Sequence, residues 1–169
     1  MQLFLKPTLL AFMLVAVAAC KPSTPPVAPP AAASGRPAAI AAAKVVSGRV
    51  ICPLEVVNGR QVRESRSFTV ATKATLVGWS TVADRDHPTP PMATVVFRST
   101  VPDGSPDLFW PGKRVARPDL VREGRVLNAG YSASGEFPRN PGRYKVLVWV
   151  GDAQLQRECD TKEVFDIHG

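Results

Sequence analysis

The sequence predicts an all-β domain, a sandwich of about seven antiparallel strands, and three observations carry that prediction. No stretch of residues 45–169 sustains a 3.6-residue apolar period. Short β-branched and aromatic runs recur instead, separated by Gly, Pro, Asn and Asp. Hydrophobic residues make up 45% of the 169, enough for a core, and charged residues only 21%, which excludes a disordered polyelectrolyte. The length suits one ordinary domain with some sequence to spare.

The elements follow in order. Residues 49–57 read as the first strand, and Asn58-Gly59 signals a type I′ hairpin. The return strand runs through Phe68, Thr69 and Val70, with Phe68 and Val70 on one face. Residues 74–82 come next, with Val77 and Trp79 alternating with smaller side chains. A Pro-rich loop at 84–91 leads to a strand at 93–97, and Pro102-Asp103-Gly104 turns the chain. Residues 107–124 carry the faintest pattern, with a strand expected only near Leu120 and Val121. The pattern sharpens at 142–150, a turn follows at Gly151-Asp152, and a last strand covers 163–167. Tyr144, Val146 and Val148 share one face of their strand; Trp149 falls on the other and awaits cover from another element.

Upstream of the domain the composition changes. Lys6 precedes an uncharged run from Pro7 to Ala19, 13 residues that suit the apolar region of a secretory signal and are too few to span a bilayer. The run closes in Val17-Ala18-Ala19-Cys20, which resembles the lipobox of bacterial lipoproteins, with Val17 where that family more often has Leu. The resemblance implies cleavage after Ala19 (a signal peptide at 1–19), diacylglycerol on Cys20 and acylation of the new N-terminus. In Gram-negative members an Asp after the Cys commonly means inner-membrane retention; Lys21 here points to the outer membrane. Residues 20–44 then read as a disordered tether. From Lys21 to Lys44 there are six Pro, nine Ala and no acid, a composition that favours extended polyproline II. The run 38–43 offers one or two helical turns, too short to stand alone.

Charge and cysteines refine the class. The chain carries +7, but Lys21, Arg36 and Lys44 belong to the tether, beside which anionic head groups attract cations. Arg60, Arg63 and Arg66 are scattered and form no clustered stripe, so no nucleic-acid partner is expected. With Cys20 lipidated, Cys52 and Cys159 remain as an even pair in an exported protein and are expected to form a structural disulfide.

Two further resemblances bear on the domain. Gly142-x-Tyr144-x-Val146 after a Pro-rich turn resembles the tyrosine corner of immunoglobulin-like sandwiches, in which the Tyr hydroxyl ties the strand to the preceding crossover. Gly78-Trp79, Arg117-Pro118-Asp119-Leu120, Ala129-Gly130-Tyr131 and Gly142-Arg143-Tyr144 resemble a β-sandwich module of bacterial surface and glycan-associated proteins, with Leu120 and Tyr131 in place of Val and Phe. This resemblance implies a structural clamp of Trp79, Arg117, Asp119 and Tyr144. Arg117 and Asp119 share a face of an extended segment, so Arg117 is expected either to pair with Asp119 or to lie over the Trp79 ring.

The search for chemistry yields little. Gly130-Tyr131-Ser132-Ala133-Ser134-Gly135 misses the spacing of a nucleophile elbow and lacks a following helix. Asp84, Asp86 and His87 read as a solvated loop rather than a metal site, and His168 as a frayed end. No metal or cofactor is expected. If the domain binds, the expected place is Phe109 and Trp110 in a turn-rich segment beside Lys113 and Arg114, suited to an envelope protein or an anionic glycan. The expectation is thus a membrane-anchored, non-catalytic binding or structural domain. The competing class is a small envelope hydrolase using Ser132 or Ser134 with a carboxylate such as Glu136.

Overall fold

The computed structural model describes residues 35–47, 50–82, 91–102, 104–122 and 125–169. These residues form an all-β sandwich, as the sequence predicts, but with twelve strands in place of about seven, because short two- to four-residue pieces pair separately, and with two single 3-10 turns. The strands are β1 Lys44–Ser47, β2 Val50–Ile51, β3 Leu54–Val57, β4 Arg60–Gln61, β5 Ser67–Thr69 and β6 Lys73–Trp79. They continue as β7 Thr81–Val82, β8 Met92–Ser99, β9 Leu108–Arg122, β10 Arg125–Glu136, β11 Gly142–Gly151 and β12 Leu155–His168. One sheet runs β1-β12-β11-β8-β9-β10-β6-β3-β4; β5 adds to β12, and β2 pairs with β7 apart from it. Pairing is antiparallel except where β1 and β5 lie parallel to β12.

The sheet folds over on itself. Leu54, Leu76, Tyr131 and Ala133 of β3, β6 and β10 meet Val95, Phe97, Val146, Val148 and Phe165 of β8, β11 and β12 in one buried cluster. These are alternate positions of their strands, as burial on one face requires. Trp110 of β9 closes the cluster. Its ring lies 4.7 Å from that of Phe97, and its Nε1 donates to the Glu136 carbonyl at 3.1 Å. The indole rests on Gly135, where a Cβ would come within 2.5 Å of that nitrogen. Cys52 and Cys159 form the expected disulfide with Cα atoms 6.2 Å apart, joining the lead into β3 to β12.

Local expectations fare unevenly. Asn58 and Gly59 both have positive φ, 51° and 79°, between paired Val57 and Arg60, which is the type I′ hairpin. The return strand is β4, however, and not the segment through Phe68. That segment is β5, which leaves for β12, where Phe68 stacks on Phe137 at 4.6 Å. β9 extends far beyond Leu120 and Val121. Pro111, Gly112 and Pro118 disguise it as turns, yet each proline stands where one neighbouring ladder has stopped. Pairing to β10 ends at Gly112, one residue after Pro111, and pairing to β8 reaches only Gly112, well short of Pro118. β12 starts at Leu155, eight residues before the expected strand, because Asp152 Oδ1 accepts from the backbone N–H groups of Gln154 and Leu155 at 2.8 Å and tightens the turn.

The end of the expected tether belongs to the domain. Residues 38–40 make a 3-10 turn, β1 joins β12, and Ile40 and Ala43 are 1% and 4% exposed. They cover Val96, Phe109, Leu147 and Trp149 on the outer face of β8, β9 and β11. Here Trp149 finds its cover, with the Arg36 guanidinium 5.0 Å over its ring. Arg36 also donates to the carbonyls of Ala41 and Ala43 at 3.4 and 3.2 Å, which curls the segment around its own cation.

Candidate functional site

The β9–β10 hairpin positions most of the singled-out side chains. Alternation along β9 sends Trp110 and Arg114 inward and Phe109, Lys113, Val115 and Arg117 outward. The exposed aromatic site expected at Phe109, Trp110, Lys113 and Arg114 is therefore not assembled. Trp110 is 1% exposed in the main core, and Phe109 is 8% exposed against Trp149 at 5.2 Å. Lys113 alone of the four stays exposed. A strand in place of a turn-rich loop is the reason.

The Arg117–Asp119 pair forms. Nε donates to Asp119 Oδ1 at 2.7 Å and Nη2 to Oδ2 at 2.5 Å, a two-pronged contact that holds the Asp119 carboxyl below its ordinary value. Arg117 also donates to Glu55 of β3, 2.9 Å from Nη1 to Oε2. Glu55 is the partner the sequence did not reveal, since its spacing from Arg117 carries no periodic signal. Gly130 clears the path: a Cβ there would sit 3.1 Å from Arg117 Cγ and 2.8 Å from the Val115 carbonyl. Trp79 stands opposite Gly130 on the same outer face, half-buried. Among the described residues the cation over an aromatic ring is Arg36, so Arg117 takes the ion-pair alternative and not the Trp79 ring. Tyr144 lies apart from this cluster, on β11, where its hydroxyl donates to the Asn140 carbonyl at 2.9 Å as a tyrosine corner does.

Ser132 and Ser134 lie mid-strand in β10, with no elbow. Ser134 Oγ is 2.8 Å from Thr75 Oγ1, and Glu136 stands opposite Lys73. A groove of about 330 Å³ runs over Ser134, Thr75, Lys73 and Asn58. A second, of about 380 Å³, lies beyond Glu136 beside Pro138, Arg139 and Tyr144. His168 is at the far end of β12, its carbonyl held by the Val70 N–H at 2.8 Å, so the backbone expected to fray is paired. Asp84, Asp86, His87 and Cys20 lie outside the described residues.

On the inner face, Arg114 and Tyr131 are cross-strand partners. Arg114 donates through Nη1 to Ser80 Oγ at 2.9 Å and to the Ala129 carbonyl at 3.3 Å, and through Nη2 to the Met92 carbonyl at 3.2 Å. Burial lowers its pKa to about 10. The Tyr131 ring covers Gly78, its hydroxyl is buried without a hydrogen-bond partner, and burial pushes its pKa above the ordinary range. No protein-family model matches this chain, and neither a curated protein nor a solved structure is similar to it.

Proposed function

We propose that the chain is a lipid-anchored protein of the bacterial cell envelope, held at the outer membrane through acylated Cys20, whose sandwich binds or braces and does not catalyse. Val17-Ala18-Ala19-Cys20 behind an uncharged 13-residue run carries this reading. Acyl chains bury enough methylene for a firm hold, at about 0.8 kcal/mol per CH₂. With residues 36–47 docked on the domain, the 15 residues of 21–35 separate it from Cys20, a length of chain that spans at most about 54 Å. The target, an envelope protein or an anionic glycan, then lies near the membrane.

The outer face of β6, β10 and β9 supports a binding role. Val77 and Trp79 are half-buried there and Val115 is 41% exposed, with Lys113 and the Arg117 ion pairs alongside. An apolar strip with a charged border is what protein partners use. For the competing hydrolase a serine needs a base within reach; Ser134 meets a hydroxyl instead.

The intact mass of the mature chain tests the anchor: residues 20–169 plus acyl chains is the expected value. Cys20→Ser should release the protein from membranes, and undiminished membrane retention of that variant overturns the proposal. Hydrolysis of an envelope substrate, lost on Ser134→Ala, overturns the non-catalytic part.

A further inference from the structure

Where this fold withdraws an arginine from water it generally supplies a carboxylate. Arg98 meets Asp107 and Glu158, and Arg117 meets Asp119 and Glu55. Arg114 is drawn deeper, yet its three bonds go to one hydroxyl and two carbonyls, and its Nε is buried with no acceptor at all. A guanidinium stays protonated at physiological pH, so this partly buried cation meets no carboxylate among the described residues.

The second unsatisfied donor lies close by. Tyr131 is 0% exposed and its unpartnered hydroxyl sits over Gly78, while Arg114 reaches Ser80, which is also 0% exposed. Gly78 and Ser80 are two positions apart on one side of an extended segment, so the Tyr131 hydroxyl and the Arg114 Nη1 that reaches Ser80 are separated by roughly 6.6 Å of strand, with Nε on the same guanidinium. A carboxylate accepting at about 2.8 Å on each oxygen bridges a gap of that order. Ser80 accepts from Arg114, which leaves its own O–H free to donate as a third contact.

We propose that Arg114, Tyr131 and Ser80 form an interior receiving site for a small organic monocarboxylate. The carboxylate neutralises the guanidinium, accepts from its Nε and from the Tyr131 hydroxyl, and removes two buried orphans at once. The depth of Tyr131 and Ser80 restricts the ligand to a small acid. The site belongs to the domain alone and does not depend on the anchor.

The test is a titration of the purified mature chain, with sodium acetate replacing sodium chloride at constant ionic strength. The Arg114 Nε–H resonance, identified by its absence in Arg114→Lys, should shift saturably, and the melting temperature should rise over the same concentrations. Tyr131→Phe keeps the ring and should weaken the apparent affinity about tenfold, the loss of one hydrogen bond to a charged group. Arg114→Lys should abolish saturation, with cooperative unfolding as its folding check; Tyr131→Phe carries the test if that variant does not fold. A response that rises linearly without saturation overturns the site. So does a Tyr131→Phe response equal to the parent's, or phosphate saturating at lower concentration than acetate.

Discussion

Reducing the Cys52–Cys159 bond should cost this domain about 4.8 kcal/mol. That figure is the chain-entropy value for a closed loop of 107 residues, the separation of the two cysteines. With an unfolding entropy of about 2.1 cal/mol/K per residue, a domain of this size should lose about 15–20 °C in melting temperature. The native contacts change little, because both sulfurs stay buried in the same cluster. The effect should therefore appear as a more expanded denatured state, with a larger urea m-value in the reduced protein. The assay compares oxidised and reduced parent chain by urea unfolding followed by far-UV circular dichroism. Cys52→Ala/Cys159→Ala serves as a third sample and should fall slightly further through lost packing. A stability difference under about 1 kcal/mol, with equal m-values, would refute the loop-entropy reasoning.

Other perturbations probe other layers. Trp110→Ala should cost about 3–5 kcal/mol through the cavity it leaves and the freed Glu136 carbonyl; an unchanged urea midpoint would contradict its place in the core. Ile40→Asp should undock residues 36–47 and red-shift Trp149 emission, read in a Trp79→Phe background, and an unmoved spectrum would place the cover elsewhere. The Asp152 carboxyl is held below its ordinary value by the N–H groups of Leu155 and Gln154. Its contribution is complete above about pH 4 and lost as pH falls through the lower folded value, so Asp152→Ala should flatten the acid limb of the stability profile.

What the sequence reveals and hides follows from range. The Asn58-Gly59 hairpin, the Tyr144 corner and the inward alternation of Val146 and Val148 are local patterns, readable within a few residues. β9 escapes because Pro111 and Pro118 break local propensity, and only the unequal lengths of β8 and β10 make them tolerable. Residues 36–43 escape because composition averages over two informative side chains: among the Ala and Pro, Ile40 and Arg36 are the large ones that cover Trp149 and its cluster. Glu55 reaches Arg117 from 62 positions away, over a gap cleared by Gly130. Arg114 is the sharpest case. Its residue type suggests surface charge, and only the strand phase set by Trp110 turns it inward.

The docked lead has a mechanical consequence. If the chain is anchored through Cys20 as proposed, a pull on that end enters the fold at Arg36 and loads β1 against the last strand first. If that ladder and the two-residue β2–β7 pairing both give way, the chain pays out from Gly35 to Ile51, 17 residues or about 55–60 Å when taut. It then stops at Cys52, whose covalent bond hands the load directly to Cys159 in the middle of β12. The sandwich is thus fitted with a slack line ahead of a fixed knot: a pull on the N-terminal end is first taken up by the edge ladder, and the disulfide at Cys52 shields the core beyond it.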